Sequence, residues 1–343
     1  MNSLLRSMRD VAAFQVDKDR LRSATHEEIL EGATSDVYFQ KTFDILRLAG
    51  REDTEVVAEV FGRGDGILAG MAEVRTLLKD RPVQLWGLPD GSEIHTKDVV
   101  LRLQGKYSAF GIFETALLGI LAASSGWATA AKACKEAAGS RPVISFGARH
   151  VHPAIASVMD AAAVLGGADG CSSVLGARLL GIEASGTVPH AAALIIGDTL
   201  EVAKLQLQTA APGGRTVLID TFQDETVEAL RVGEALGKAL EGIRLDTPSE
   251  RGGVTTELVR EMRARLDQAG LGHVRIFVSG GLSPDRIRDL SAAGADAFGV
   301  GHYIAVAPPL EMTMDIKEVA GRPLAKRGRI PGITPSSGLR QIQ

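Results

Sequence analysis

Val274-Arg275-Ile276-Phe277-Val278-Ser279-Gly280-Gly281-Leu282-Ser283-Pro284-Asp285 is the stretch on which the reading of this chain turns. Its apolar half, Val274 to Val278, reads as a strand, and Gly280-Gly281 as a sharp turn. Ser283-Pro284-Asp285 then opens a helix through Arg286 to Ala293. A strand, two glycines and a helix N-terminus make a pocket for a phosphate. A second pair, Gly299-Val300-Gly301, follows 18 residues after Gly281. Either pair alone is also an ordinary turn, since glycine is the default turn residue. Two such turns ending successive strands predict an enzyme for a phosphorylated sugar or nucleotide.

Working outward, the same rhythm repeats. Strands are expected at Val143 to Phe146, Thr216 to Asp220, Ile243 to Asp246, Arg275 to Ser279 and Ala297 to Val300. Short segments fall near Cys171 to Val174 and Ile182 to Ala184. Helices are expected from His152 to Leu165, Pro189 to Leu207, Thr226 to Leu240, Thr255 to Gln268 and Asp285 to Ala293. In the helix from Thr255, Leu258, Met262 and Leu266 recur on one face. Six or seven β-then-α units predict a parallel sheet. Their polar residues, Asp220, Asp246 and Ser279, lie at the C-terminal strand ends, where such folds carry chemistry.

The first third is different. A helix over Ser35 to Ala49 offers Val37, Ile45, Leu46 and Leu48 for packing. Val56 to Phe61 is a strand, Ile67 to Ala69 is expected to pair with Val83 to Leu85, and Val99 to Leu103 alternates like a half-buried strand. Phe110 to Ala138 reads as one or two helices broken near Ser124-Ser125-Gly126. Thr313 to Val319 is a strand returning to the first domain, and the last dozen residues are expected to be mobile. The fold class is therefore α/β. A sandwich-like N-terminal α/β domain, residues 10–125 joined by 306–335, is followed by an irregular, incomplete (β/α) barrel, residues 126–305.

The 343 residues carry 38 Lys+Arg against 42 Asp+Glu, a net charge of -4. That argues against a nucleic-acid surface. The two cysteines, Cys134 and Cys171, exclude a four-cysteine zinc site and a disulfide scaffold. Met1 to Asp10 lacks the apolar stretch of a signal peptide, and no uninterrupted apolar run reaches 18 residues. No membrane partner and a cytoplasmic location are expected.

Four clusters carry candidate chemistry. His190, in Gly186-Thr187-Val188-Pro189-His190, opens a helix on the rim shared by Asp220 and Asp246. It reads as a phosphoryl acceptor, a general base, a ligand, or a helix-start histidine bonded to backbone. A helix N-terminus disfavours imidazolium and favours an anion. Phe146 can lie flat against an aromatic ring or simply fill the core, and Arg149 offers a planar fork for a carboxylate or phosphate. Arg244 and Asp246 share one side of a strand and suit a phosphoribosyl group, or form a salt-bridged rim pair. Asp246 and Asp220 can hold a ribose diol, or Mg²⁺ through water. His150 and His152 point to different sides and find no third ligand, so no protein-held metal site is expected.

In order and spacing these pieces resemble the nicotinate phosphoribosyltransferases of the type II phosphoribosyltransferase fold, from about His26 to Arg329. The resemblance includes Ala33-Thr34-Ser35-Asp36-Val37-Tyr38-Phe39, Gly105-Lys106-Tyr107 through Glu114-Thr115, and Phe146-Gly147-Ala148-Arg149 through His152-Pro153. It continues through Ser185 to His190, Arg244 to Ser249 with Arg251, Ser279-Gly280-Gly281 and Gly299-Val300-Gly301. Asp246-Thr247-Pro248-Ser249 resembles the shorter archaeal-type branch, without the zinc module some of its members carry. The resemblance implies a dimer in which Tyr38 crosses the interface and sandwiches the pyridine against Phe146. It implies Arg149 beside base and phosphates, Arg244 and Asp246 at the phosphoribosyl group, and Gly280, Gly281, Gly299 and Gly301 in 5'-phosphate loops.

The implied reaction joins nicotinate and 5-phosphoribosyl 1-diphosphate into nicotinate mononucleotide and diphosphate. Mg²⁺ assists, and ATP phosphorylates His190 to drive the step. Quinolinate phosphoribosyltransferase shares the fold, but its substrate must be decarboxylated and it needs no phosphohistidine. His190 at its helix start therefore favours nicotinate. Quinolinate or nicotinamide transfer, and a non-catalytic sugar-phosphate-binding homologue, are the alternatives. A barrel aldolase or isomerase would need a strand-end lysine, which the strands ending at Asp220 and Asp246 do not offer.

Overall fold

The structure, a computed structural model, describes residues 4–15, 22–209 and 215–343. The first three residues of the Met1–Asp10 segment lie outside the described residues. The strands in chain order begin with β1 (Glu55–Gly62), β2 (Gly66–Ile67), β3 (Val83–Gly87), β4 (Glu93–Ile94) and β5 (Val99–Lys106). Next come β6 (Val143–Ser145), β7 (Gly170–Cys171), β8 (Thr216–Leu218), β9 (Gly242–Leu245), β10 (Arg275–Ser279) and β11 (Ala297–Val300). The last are β12 (Met312–Val319), β13 (Arg322–Pro323) and β14 (Arg340–Gln341). The chain divides into two compact units, residues 1–126 with 308–343, and residues 127–307.

The first unit is built on an antiparallel sheet ordered β13-β12-β1-β5-β3-β14. β1 pairs on one side with β5 and on the other with β12, the expected returning strand. Ala58, Val60, Leu101 and Leu103 pack on a core with Phe43, Phe110 and Phe113. Three details differ from the sequence reading. The helix Val37–Leu48 buries Phe39, Gln40 and Phe43, while Val37, Ile45 and Leu48 face outward. The buried stripe follows the i, i+4 spacing of the two phenylalanines. β2 pairs with β4, not with β3, because β3 is taken by a five-residue ladder with β5. The last residues are tied down: Arg340 pairs with Gly87 and Gln341 with Trp86.

The expected break near Ser124-Ser125-Gly126 is absent, and one helix runs from Glu114 to Ala138. Ser125 is fully buried, and its hydroxyl accepts the Ala69 amide at 3.0 Å. A Cβ on Gly126 would lie 2.3 Å from the Pro308 carbonyl oxygen. These small residues are there for close packing, not to end the helix. The continuous helical stretch Tyr107–Ala138 is long and apolar enough to cross a membrane, but 56% of its most apolar window is buried in protein, as in a core helix.

The second unit is a parallel sheet ordered β7-β6-β11-β10-β9-β8, with helices between successive strands. The order is that of a barrel opened between β7 and β8, so the architecture is mixed α/β with a barrel-like C-terminal unit. Inside that opening the sequence reading needs correction. Ile182 to Ala184 forms no strand, and the helix expected over Pro189 to Leu207 is two, His190–Ile196 and Thr199–Gln208. Gly197 ends the first in the left-handed region (φ +93°). Asp198 caps the second, accepting the amides of Leu200 and Glu201, and also pairs with Arg231. Helix Thr256–Gln268 buries Val259, Met262 and Leu266, with Leu258 at its margin.

Candidate active site

The site is built from strand ends of the second unit. Arg244 lies on β9, whose neighbours β8 and β10 run parallel to it. It is 7% exposed, and every arm of its guanidinium is committed. Nε donates to Ser279 Oγ at 2.9 Å, Nη1 to Thr187 Oγ1 at 2.7 Å and Nη2 to Asp246 Oδ2 at 3.1 Å. Its Cζ lies 5.2 Å from the centre of the Phe146 ring. Burial, offset first by Asp246, lowers its pKa. Such a group stays charged at any working pH. The cost of burying it is met by these partners.

Asp246 follows β9 and is bonded at both oxygens, since Ser279 Oγ donates to Oδ1 at 2.7 Å. Ser279 thus joins the ends of β9 and β10. Gly280 and Gly281 take positive φ, +91° and +58°. A Cβ on Gly280 would stand 3.3 Å from Asp246 Oδ1. The turn therefore needs glycine for its backbone and for room beside the carboxylate. Asp220, after β8, is buried and faces His190, whose Nε2 lies 3.2 Å from Oδ1. Its Oδ2 is buried without a partner. Burial raises the Asp220 pKa above the ordinary carboxylate value, His190 opposes this, and Asp246 adds to it. An under-satisfied buried carboxylate at a strand end is what a site awaiting a cation or hydroxyl looks like.

The other expected residues fall as follows. Phe146 directly follows β6, with its ring centre 5.8 Å from that of Phe277. Arg149 is exposed in the 3-10 turn Gly147–His150, close enough to Arg244 to depress its pKa. Arg251 is half-exposed and reaches Glu225 Oε2 at 3.4 Å. Gly299 is buried within β11, and a Cβ there would lie 2.4 Å from the Phe146 ring. It makes room for that ring, a different task from the phosphate cradle expected of it. Gly301 lets the chain pass the Phe146 carbonyl, 3.1 Å from its ideal Cβ. Tyr38 belongs to the first unit, 54% exposed beside Phe39.

His152 caps its own helix through Nδ1 and the Ala154 amide. His150 stacks edge-on to His302 at 5.6 Å. Among the described residues no three His, Cys, Asp or Glu side chains form a metal-binding group.

Sequence reading placed Ser279 among the polar strand ends without naming its partners, gave no role to Thr187 though it quoted the motif that contains it, and missed Glu225. Glu225 is 2% exposed, accepts the Thr247 hydroxyl at 2.8 Å and fixes the segment after Asp246. Its only sequence signal is an acid at the start of a helix.

Residues 36–125 match the family profile of the quinolinate phosphoribosyl transferase N-terminal domain, and residues 127–315 match its C-terminal domain. A solved nicotinate-nucleotide pyrophosphorylase from Pyrococcus furiosus superposes with a TM-score of 0.86 at 44% identity, covering 92% of this chain and 82% of that one. A probable nicotinate-nucleotide pyrophosphorylase [carboxylating] of Archaeoglobus fulgidus is 27% identical over 271 residues, 76% of this chain and 95% of its own length. A nicotinate phosphoribosyltransferase, pncB1, of Mycobacterium tuberculosis is 32% identical over 251 residues, 70% of this chain but 55% of its own. The chain spans about half the length of such curated nicotinate relatives.

These findings overturn the reading as a nicotinate phosphoribosyltransferase, and with it the ATP-coupled, ligase-type reaction and the phosphorylated His190. That reading separated nicotinate from quinolinate on His190 alone. In the structure His190 is held against buried Asp220, which accounts for a histidine at this helix start without a phosphoryl group.

Proposed function

The chain belongs to the quinolinate phosphoribosyl transferase family, and from that premise we propose that it transfers the phosphoribosyl group of 5-phosphoribosyl 1-diphosphate to quinolinate. Carbon dioxide is lost, and nicotinate mononucleotide and diphosphate are formed. The observation that carries this is the Arg244–Asp246–Ser279 triad at the ends of β9 and β10, with Arg244 and Ser279 buried, Asp246 half-buried and the Phe146 ring against the guanidinium.

In this reading the pyridine nitrogen attacks C1 of the ribose while the C1–O bond to diphosphate breaks. Positive charge develops on the sugar, and Asp246 and Asp220 stabilise it and hold its hydroxyls. Arg149 and Arg244 face the anionic groups, the carboxylates of the base and the phosphate of the donor. Gly280 and Gly281 bring backbone close to the 5'-phosphate. On the resulting pyridinium the C2–carboxylate bond breaks, its electron pair stays on C2, and C2 takes up a proton.

The partnerless Oδ2 of Asp220 and the carboxylate of Asp246 are hard oxygen donors of the kind Mg²⁺ shares with substrate phosphates. When bound there, Mg²⁺ would neutralise charge on the departing diphosphate. Exposed Leu194, Ile195 and Ile196 on one helix and exposed Val174, Leu175 and Leu179 on another favour a homodimer or higher assembly, checked by light scattering, in the cytoplasm.

The deciding experiment incubates the protein with phosphoribosyl diphosphate, Mg²⁺ and carboxyl-labelled quinolinate, without ATP. With the label on the C2 carboxylate, labelled carbon dioxide and unlabelled nicotinate mononucleotide, read by mass, are expected in equal amounts. Product from nicotinate with ATP and none from quinolinate overturns the proposal.

A further inference from the structure

Arg6, in the first unit, is half-buried, and among the described residues its guanidinium makes no hydrogen bond and no ion pair. Its Nε is buried without a partner. A guanidinium carries five donors, and buried donors are ordinarily paired. Arg102 and Arg244, by contrast, are bonded through two and three of their nitrogens. Burial lowers the Arg6 pKa and nearby Arg81 adds to this, but the group stays charged.

Arg6 lines a cavity of about 460 Å³ with Leu4, Ser7, Arg9, Asp10 and Arg47. That volume lies within the range of small-molecule sites. With three arginines against one apolar side chain in this lining, the occupant it suits is a polar anion. The acids of this corner are already engaged. Asp10 accepts the Arg6 amide at 3.0 Å, and Asp44 accepts the Met8 amide at 2.8 Å and stands 3.7 Å from Arg47. Glu52 takes Arg47 Nε at 3.1 Å, and Asp53 is held by Ser108 and Lys106. Arg9 is exposed and, like Arg6, has no carboxylate partner among the described residues. Two unneutralised guanidiniums therefore line one cavity. The short helix Met8–Ala13 is not what makes it: its Met8 amide goes to Asp44 and its Asp10 amide to Ser7 Oγ.

We propose that this cavity is an anion site for a phosphoryl dianion, free or carried on a small metabolite, held by the guanidiniums of Arg6 and Arg9 with Arg47 adding a third positive charge. Planar guanidinium forks take oxyanions two oxygens at a time. A bound dianion gives Arg6 the acceptors it lacks and offsets its repulsion from Arg81 and Arg47. None of the lining residues belongs to the strand-end site of the second unit, so the proposal stands or falls without the transferase reading.

The test is modification of the full chain by phenylglyoxal, followed arginine by arginine through peptide masses. It is run in inorganic phosphate and in sodium chloride of equal ionic strength. About 10 mM phosphate should slow modification of Arg6 and Arg9 about tenfold, as a dissociation constant of about 1 mM implies. Exposed Arg75, on another helix, should react at the same rate in both salts. Ribose 5-phosphate replaces phosphate in a second arm. Stronger protection assigns the cavity to a phosphomonoester, and equal protection to the free ion. Arg6→Gln should weaken the protection of Arg9 by phosphate about tenfold, as loss of a charge-assisted bond implies. Arg9→Gln, at an exposed position, gives the reciprocal measurement on Arg6 if Arg6→Gln does not fold. Equal modification of Arg6 in both salts, protection by chloride as strong as by phosphate, or protection unchanged in these variants overturns the proposal.

Discussion

Glu59 in the antiparallel sheet and Asp220 at the end of β8 are both buried carboxylates, and the protein treats them in opposite ways. Glu59 Oε1 accepts from Arg102, whose Nη2 lies at 2.7 Å, and from the Thr334 amide at 3.0 Å, while Lys317 stands 3.9 Å from Oε2. Asp220 has His190 at 3.2 Å on one oxygen and no partner on the other. A saturated buried charge is architecture: it fixes how the tail from Gly328 to Pro335 crosses the sheet, where both line one cavity. An unsaturated one is costly to keep, and its position at a strand end, beside Arg244 and Asp246, gives the reason for keeping it.

The sharpest way to break this contrast is to remove Glu59. Glu59→Ala leaves Arg102 and Lys317 uncompensated and should cost about 3–5 kcal/mol of stability, read from urea unfolding midpoints. The surviving folded fraction should keep its specific activity. Next in size, Arg244→Ala should weaken donor binding by about 2–5 kcal/mol if the guanidinium meets a buried phosphate. Calorimetry with phosphoribosyl diphosphate measures this, and unaltered affinity removes Arg244 from the site.

Gly299→Ala sharpens the comparison within the second unit. Its methyl group would collide with Phe146. Overpacking of this kind costs about 1–3 kcal/mol. Activity should fall with stability, because the displaced ring lies against Arg244; thermal melting and turnover measured together check this.

The smallest effect is pH-dependent. The folded-state pKa of Asp220 is raised, chiefly by burial. Its contribution is therefore fully present below the unfolded value near ~3.9 and is lost as pH rises through the folded value. Asp220→Asn abolishes that loss. Relative to wild type, the variant should gain stability between acid and neutral pH while losing activity. A stability difference that stays flat across that range would mean that Asp220 is as well satisfied as Glu59.

What the sequence disclosed follows from what has a period or a pattern. The alternation of β1 and β5, the strand–glycine–helix unit at Ser279 to Pro284 and the return of β12 all repeat a rule of spacing. Arg244 with Asp246 was legible because a two-residue period puts both on one side of β9. What stayed hidden depends on partners distant in sequence. Ser279 links β9 to β10 through a hydroxyl, and Thr187 reaches Arg244 from 57 residues away. Ser279 is marked only as a polar residue at a strand end, and Thr187 leaves no mark in its own neighbourhood. The Ser124-Ser125-Gly126 run misled because small residues signal breaks and close packing alike, and only the contact with Ala69 and Pro308 separates the two. His190 misled in another way: residue type and helix position suit several chemistries, and the buried partner at Asp220 was needed to choose among them.

The strand order of the first unit has a consequence for synthesis. β1 lies between β5 and β12, and the outer edge of β3 is covered by β14. Three of the six strands therefore leave the ribosome last. At about 5–20 residues per second, β1 would wait roughly 10–50 s for β12, with its edge open to other nascent chains. Residues 127–307 can meanwhile fold on their own contacts. The half of the protein translated first is completed last, and it is there that a chaperone would find something to hold.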